Sequence, residues 1–285
     1  MSDEDRRRRF CLNLSTLDSA DLETQLRVSR DAGFHAVGLR EKHVASYLMS
    51  GGSPLGVRKM LDAHGLVAVE YDFFSNWVCA GSGERESLRG RFDRFCEVAA
   101  DTGCAIVVAP TSTDDGAGEL DWHTAAGNLR AMARIAAAYE LTVGVEFLPW
   151  SSLDTVTAAW ELVRRSDCGN AAIVLDTFHY FEGPNSRDEL WKVPVEAITL
   201  CHVNDVEAVE ADVVTRCRRH RVFPGEGIYE FGEILSYLSD NSYEGYYSLE
   251  IMNASHATKD PGVIAREAMA SLDRLLGGER NARTT

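Results

Sequence analysis

The sequence lacks the features that mark secreted and membrane-spanning proteins. Its seven cysteines are scattered and form no CxxC pair, a pattern typical of reduced thiols in a cytoplasm rather than of a disulfide framework. The start, MSDEDRRRRF, has no apolar segment, so we expect no secretory signal. No apolar run approaches the length of a membrane span. These absences together predict a cytoplasmic protein without a membrane partner.

Positive charge is also in short supply. The 285 residues contain 29 Lys and Arg against 44 Asp and Glu, which gives a formal net charge of -15. Because a nucleic-acid backbone binds clustered positive charge, this balance argues against a nucleic-acid partner. It leaves room for a local basic pocket within an acidic protein.

Short apolar runs rich in β-formers alternate with longer amphipathic stretches. The eight runs that predict strands lie at 9–15, 35–40, 66–73, 105–110, 141–147, 171–177, 197–203 and 246–252. Apolar residues three and four apart in the stretches between them predict helices. Eight such units predict a single (β/α)8 TIM barrel over residues 9–278, with flexible tails at 1–8 and 279–285. A doubly wound open sheet is disfavoured because no GxGxxG follows the first strand.

The last four predicted strands end on residue types that bind metals. VGVE ends on Glu146, IVLD on Asp176, TLCH on His202 and YSLE on Glu250. The carboxyl ends of barrel strands meet at one face, so these side chains should converge. One polar strand end is commonplace, but three carboxylates brought together need a cation. Their O3N set suits one divalent ion, Mn²⁺ or Mg²⁺ first, with Co²⁺ or Zn²⁺ as alternatives.

Five motifs carry a resemblance to a known family. They are VEFLPW (145–150), VLDTFHYF (174–181), CHVND (201–205), RVFPGEG (221–227) and YEGYYSLEI (243–251). Their order and spacing resemble those of the xylose-isomerase-like TIM-barrel superfamily, in the sugar phosphate isomerase/epimerase branch. That branch includes inosose dehydratases and ketose 3-epimerases. The motifs are specific for the superfamily and much less specific for the reaction.

The resemblance implies roles for individual residues. It makes Glu146, Asp176, His202 and Glu250 the metal ligands. It also makes Glu146 and Glu250 the catalytic pair that moves protons. His179 matches a position that contacts substrate, and we expect it to bind substrate or relay a proton. A hydrogen bond to Asp176 or to a backbone carbonyl is the alternative role for His179.

Two further residues are predicted to bind substrate. Arg221 matches a substrate-contacting position in the resemblance, where a guanidinium would hydrogen-bond substrate oxygens. A surface arginine paired with Glu226 is the alternative. Trp150, in the loop after the fifth strand, would present apolar surface to sugar C–H faces, as would the aromatic residues within 73–77. Packing against helices is the alternative for all of these rings.

A basic cluster, RCRRHR at 216–221, lies in the loop after the seventh predicted strand. Loops after strands seven and eight of such barrels often bind phosphate, which would suit an anionic substrate. A solvated basic stretch facing the acidic residues 207–212 explains the cluster equally well. The sequence leaves both interpretations open.

The expected function is that of a divalent-metal-dependent isomerase or epimerase. It would act on a sugar or other polyhydroxy carbonyl substrate through proton transfer and a metal-stabilised enediolate. The alternative is a dehydratase of a cyclitol or keto-acid, such as an inosose or a dehydroshikimate-type compound, because both reactions begin with the same proton abstraction. A non-catalytic barrel that binds a partner is the third hypothesis. A homo-oligomer is compatible with all three.

Overall fold

The computed structural model describes residues 3–111 and 120–277, and eight of the strands in these ranges close into a parallel barrel. The strands are β1 (Phe10–Asn13), β2 (Ala36–Arg40), β3 (Val67–Asp72), β4 (Ile106–Pro110), β5 (Thr142–Glu146), β6 (Ala171–Asp176), β7 (Ile198–Val203), β8 (Asp205–Val206), β9 (Arg221–Val222) and β10 (Tyr246–Leu249). The barrel order is β1-β10-β7-β6-β5-β4-β3-β2, and β8 pairs with β9 in a separate antiparallel ribbon. The predicted TIM barrel is confirmed.

Helices follow the barrel strands and cover the outside of the sheet. Within the described ranges they are α1 (Asp3–Arg7), α2 (Leu22–Asp31), α3 (Glu41–Met49), α4 (Pro54–His64), α5 (Arg85–Thr102), α6 (Trp122–Ala137), α7 (Val156–Ser166), α8 (Thr177–Glu182), α9 (Arg187–Leu190), α10 (Val213–Arg219), α11 (Gly232–Asp240) and α12 (Pro261–Gly277). Three 3-10 turns cover Leu14–Leu17, Val195–Ala197 and Ala254–Thr258. No helix in the described part of the chain is both long and apolar enough to cross a bilayer.

The predicted tails lie mostly outside the described residues. Residues 1–2 and 278–285 are not described, so the tail at 279–285 remains a prediction. Within the predicted tail at 1–8, α1 is attached to α12 by two hydrogen bonds from the Arg7 guanidinium to Asp273, at 2.9 and 2.7 Å. Both side chains are partly exposed, so we expect this ion pair to contribute little to stability.

The alternation of side chains along each strand decides which residues face the barrel interior. In β6, Leu175 packs outward in the core between sheet and helices, whereas Val174 packs in the interior cluster. Asp176 has the same parity as Val174 and therefore points into the barrel mouth. In β7, Leu200 packs in the same interior cluster, and His202 follows it with the same parity. A slip of one residue would turn both polar side chains toward the helices.

Candidate metal centre and active site

The four predicted metal ligands meet at the carboxyl end of the barrel. Nδ1 of His202 lies 2.9 Å from Oε1 of Glu146, and it lies 3.8 Å from both Oδ2 of Asp176 and Oε2 of Glu250. One donor atom of each residue lies within 4.8 Å of the donors of the other three. All four side chains are buried. Three oxygens and one nitrogen at these separations fit a single divalent ion bound at about 2.0–2.3 Å.

Glu70, which sequence reasoning missed, fixes the orientation of the His202 ring. Its Oε2 lies 2.7 Å from Nε2 of His202. Its Oε1 accepts hydrogen bonds from Ser248 at 2.6 Å and from Asn13 at 3.2 Å. When the Nε2–H of His202 donates to Glu70, Nδ1 is left with its lone pair directed at the other ligands. Burial acts to lower the pKa of His202, but Glu70 and Glu146 outweigh it and hold this pKa well above its usual range. A metal ion would therefore displace the proton on Nδ1, while the hydrogen bond to the fully buried Glu70 keeps the proton on Nε2.

Gly38 on β2 leaves the space that the Glu70 side chain occupies. A Cβ atom built at position 38 would lie 2.2 Å from Oε1 of Glu70 and 2.8 Å from its Cδ and Cγ. Because the carboxylate is held by three hydrogen bonds in a packed interior, it has little room to move aside. Position 38 therefore requires a residue without a side chain.

Burial and charge set the protonation of the ligand carboxylates. Burial raises the pKa of Glu146 to about 8, and the nearby charges of Asp176 and Glu250 add to the rise, although the hydrogen bond to His202 lowers it. Burial also acts to raise the pKa of Asp176, but the positive charges of Arg221 and His202 and the hydrogen bonds from Asn204 outweigh it and hold this pKa well below its usual range. The pKa of Glu250 is lowered by the same two charges. Asp176 and Glu250 are therefore favoured as anions in this site, whereas Glu146 favours its protonated form.

Arg221 is buried between two of the metal ligands. Its Nη1 donates to Oδ2 of Asp176 at 3.0 Å and to Oε2 of Glu250 at 2.8 Å, and its Nη2 donates to Sγ of Cys217 at 3.0 Å. The alternative of a surface arginine paired with Glu226 is wrong, because only 1% of Arg221 is exposed. Arg221 also lines the central cavity, where a substrate would bind. Its contact with substrate stays a prediction.

His179 lies in the first turn of α8, next to the ligand that caps this helix. Asp176 Oδ1 accepts the backbone N–H groups of Phe178 at 2.7 Å and His179 at 3.2 Å. The His179 Nε2 is 3.9 Å from Asp176 Oδ2, too far for a hydrogen bond. Its Nδ1 has no hydrogen-bond partner among the described residues. The Trp150 ring packs against the imidazole edge-on, with centroids 5.4 Å apart.

The imidazole of His179 is neutral at physiological pH. Burial lowers the pKa of His179 to about 4, although the charge of Asp176 opposes this shift. A neutral ring with an unpartnered nitrogen can accept or donate one proton at the cavity surface. The 3.9 Å between His179 Nε2 and Asp176 Oδ2 also differs from the alternative role, in which the His179 side chain would hydrogen-bond Asp176.

Arg40 and Asp72, at the ends of β2 and β3, were also missed. Nη1 of Arg40 donates to Asp72 Oδ2 at 2.6 Å and to Glu250 Oε1 at 3.2 Å. The guanidinium lies 4.9 Å over the ring of Phe73. Burial raises the pKa of Asp72 to about 6, although the charge of Arg40 opposes the rise. These residues complete the charged lining of the barrel mouth.

A cavity of about 620 Å³ opens at this end of the barrel, a volume typical of small-molecule sites. It brings together the predicted residues Glu146, Trp150, His179, Arg221 and Glu250. The aromatic residues at 73–77 divide between wall and core: Phe73 lines the cavity, whereas Phe74 and Trp77 pack in the hydrophobic core.

Known proteins resemble this chain in both sequence and fold. It is 30% identical over 244 residues to a 3-dehydroshikimate dehydratase of Pseudomonas aeruginosa, which covers 82% of this chain and 37% of that protein. It is 28% identical over 188 residues to an inosose isomerase of Halalkalibacterium halodurans, which covers 65% of each. The chain thus spans little more than a third of the length of two 3-dehydroshikimate dehydratases that it matches, 37% and 36%.

A solved structure of the IOLI protein with a bound zinc atom superposes with a TM-score of 0.85 at 17% identity, covering 95% of this chain and 98% of that one. This likeness concerns the fold. A family model for the xylose isomerase-like TIM barrel matches residues 26–275, which is most of the described chain. The resemblance seen in the five sequence motifs is confirmed, and the chain belongs to the xylose isomerase-like TIM-barrel family.

Proposed function

We propose that the chain is a divalent-metal-dependent enzyme that removes a proton from the carbon beside a carbonyl group of a small polyhydroxy substrate. The buried O3N set of Glu146, Asp176, His202 and Glu250 carries this proposal. Arg221 already pairs with Asp176 and Glu250, so among the described residues Glu146 is the buried carboxylate of the set without a guanidinium partner, and a metal ion would stabilise its anion. The raised pKa of Glu146 reflects the cost of burying this anion and supports a bound cation.

We propose Mn²⁺ or Mg²⁺ as the ion, with Co²⁺ or Zn²⁺ as alternatives, because oxygen-rich sets with one imidazole accept all four. When bound, the ion would polarise the substrate carbonyl and make the neighbouring C–H more acidic. The zinc in the IOLI structure supports a divalent ion in this fold family. The His202 tautomer set by Glu70 supports nitrogen ligation through Nδ1.

The proton transfers are assigned to side chains that line the cavity. Glu146 and Glu250 both reach it, so one carboxylate can remove a proton and the other can return one. The neutral His179, with its unpartnered Nδ1, is placed to hydrogen-bond a substrate hydroxyl or to relay a proton. Arg221 would hydrogen-bond a substrate oxygen on which negative charge develops. Trp150 would pack on the apolar C–H face of the substrate.

Dehydration is the outcome that we propose after proton removal. One carboxylate takes the proton, the electron pair forms a C=C bond, and the hydroxyl on the next carbon leaves as water after it receives a proton from a cavity acid. Two relatives, at 30% and 26% identity, are 3-dehydroshikimate dehydratases, and this favours dehydration.

An isomerase or epimerase is the second candidate. It is favoured by the inosose isomerases among the relatives and by the two glutamates that reach the same cavity. In this reaction the proton returns to carbon, and the composition of the substrate does not change. The proposed partners are small sugars, cyclitols or related molecules, without nucleic acid or membrane, and a homo-oligomer remains a prediction.

Mass spectrometry in D2O tests the proposal. Protein loaded with Mn²⁺ would be incubated with a panel of ketoses, inososes and keto-acids, beside metal-free protein as the control. Loss of one water from a substrate would support dehydration, and deuterium gained at unchanged composition would support isomerisation or epimerisation. If neither change depends on the metal for any member of the panel, the proposed function is wrong.

A further inference from the structure

The wall of the central cavity is divided by chemistry around the barrel. In the sector over β3, β4 and β5, four lining residues present mainly apolar surface: Phe73, Pro110, Leu148 and Trp150. The opposite sector lies over β7, β10, β1 and β2, which are neighbours in the sheet. There the lining includes Lys42 after β2, Arg218 and Arg219 after β7, and the apolar Ile251 and Met252 after β10. The cationic side chains of the lining therefore stand on this side of the cavity, with some apolar surface beside them.

The residues of the basic cluster at 216–221 have different surroundings in the fold. Arg216 forms two hydrogen bonds with Glu182, at 2.7 and 2.8 Å, and is neutralised by it. The acidic stretch at 207–212 meets the cluster through His220, whose Nδ1 lies 2.9 Å from a carboxylate oxygen of Glu207. Arg221 is buried against the metal ligands. Each of these three residues therefore has a partner within the protein.

Arg218 and Arg219 remain, in the last turn of α10. Both side chains are exposed and line the cavity. Neither forms a hydrogen bond or ion pair with another residue in the ranges 3–111 and 120–277. The acidic stretch at 207–212 forms no ion pair with either guanidinium, so both are solvated at the cavity mouth and available to an anion.

The cationic side chains of the cavity lining outnumber its carboxylates, and Arg218 and Arg219 are the cations without a carboxylate partner among the described residues. Five cationic side chains line the wall (Arg40, Lys42, Arg218, Arg219 and Arg221), against four carboxylates (Asp18, Asp72, Glu146 and Glu250). Arg40 and Arg221 are already bonded to carboxylates, and Lys42 is paired with Asp18. In a chain with a net charge of -15, an unpaired positive pair at the mouth attracts anions locally.

We infer that the substrate of this site carries an anionic group, a carboxylate or a phosphate, which Arg218 and Arg219 bind at the cavity mouth. The inference rests on the proposed function, since it concerns the substrate of the same site. Guanidinium groups suit either anion, because their paired N–H donors match two oxygens of one group. With the anion on this side, the hydrocarbon face of the molecule lies toward Leu148 and Trp150, and its carbonyl end lies at the metal ligands.

Binding of unreactive probes tests the inference without requiring turnover. Isothermal titration calorimetry on the Mn²⁺-loaded chain would compare shikimate, neutral scyllo-inositol and myo-inositol 1-phosphate, three ring polyols that lack the ketone. We expect the double variant Arg218→Gln, Arg219→Gln to raise the Kd of the anionic probes about tenfold. We also expect salt raised from ~50 to ~500 mM to weaken anionic probes far more in the wild type than in this variant.

The chain offers a matched control. Arg164 and Arg165 are also consecutive arginines in the last turn of a helix, α7, and they pair with Glu161 away from the cavity. The variant Arg164→Gln, Arg165→Gln removes the same two charges and should leave every Kd unchanged. Tighter binding of shikimate than of the phosphate identifies a carboxylate subsite, and the reverse order identifies a phosphate subsite. An equal Kd for scyllo-inositol and the anions, or an unchanged Kd in the Arg218/Arg219 variant, would overturn the inference.

Failure of this inference and failure of the proposed function are distinguishable. If deuterium exchange into a ketone substrate depends on the metal, but the Kd of the probes depends neither on their charge nor on Arg218 and Arg219, only the anionic subsite is overturned. Charge-dependent binding without exchange or water loss in any ketone substrate would overturn only the proposed reaction.

Discussion

Replacing Glu70 by Gln should weaken metal binding although Glu70 is not itself one of the four proposed ligands. The carboxylate is fully buried and accepts the Nε2–H of His202 at 2.7 Å. Glutamine keeps the size of the side chain and an oxygen that can accept this proton. It removes the negative charge that makes the imidazole a stronger ligand.

The magnitude follows from the contacts of Glu70. Loss of such a partner behind a metal-binding histidine typically lowers metal affinity 10–100-fold, which is about 1.4–2.7 kcal/mol. The new amide nitrogen of the variant would face the Asn13 side chain, whose own N–H₂ now donates to Glu70 Oε1 at 3.2 Å. Two N–H donors that face each other cannot form a hydrogen bond, so the variant has one buried hydrogen bond fewer. We therefore expect a further decrease of about 1–3 kcal/mol in the free energy of unfolding.

Competition with a chelator at fixed free Mn²⁺ measures the affinity, and urea unfolding of metal-free protein measures the stability. Glu97→Gln is the matched control, because Glu97 is exposed on α5 and the same charge is removed there. A Kd within twofold of the wild type in the Glu70→Gln variant would refute the role that we assign to this residue.

Three more predictions follow from the site. Metal-free protein should lose stability as pH rises from 4.5 to about 8, because burial raises the pKa of Glu146 from 4.5 to about 8 in the folded state, so over this range the folded state holds a proton that the unfolded state has released; thermal melts with Glu146→Gln as the control measure this. Gly38→Ala should cost about 1–3 kcal/mol of stability and weaken metal binding, because its Cβ would meet Glu70; chelator competition and urea unfolding check both effects. Asp205→Ala should cost about 1–3 kcal/mol in urea unfolding, because Asp205 accepts the backbone N–H groups of Gly225, Gly227 and Tyr229, each at 3.0 Å.

The sequence predicts the barrel and the four ligands because both depend on local patterns. Each ligand follows a short, largely apolar run. Glu146 and Asp176 end their strands, His202 is the next to last residue of β7, and Glu250 directly follows β10. Asp176 and His202 are register partners across β6 and β7, so the parallel sheet brings these ends level. The convergence of the four side chains follows directly from the topology.

The residues that were missed depend on contacts between distant strands. Glu70 lies within an apolar run, and its role requires Gly38 on β2, Ser248 on β10 and Asn13 on β1, which no local pattern relates to it. Strand ends were also predicted too long. The first predicted strand extends to 15, but the side chain of Asn13 accepts the backbone N–H of Ser15 and begins a 3-10 turn.

The basic cluster shows a third limit. The resemblance singles out Arg221, but nothing in the sequence distinguishes Arg216, Arg218 and Arg219, which have different surroundings in the fold. Their positions depend on the short helix α10 and on the β8–β9 ribbon, neither of which has a clear periodic signal. Only the tertiary structure separates the buried arginine from the pair at the cavity mouth.

The most direct test of the metal site is the metal content of the Asp176→Ala variant, measured by elemental analysis after dialysis against Mn²⁺. We predict one ion per wild-type chain and none in the variant, with circular dichroism unchanged because the barrel remains folded. Asp176→Asn, which keeps an oxygen to cap α8, serves as a second variant if Asp176→Ala does not fold. A folded variant that retains one ion per chain and full turnover would contradict the metal site.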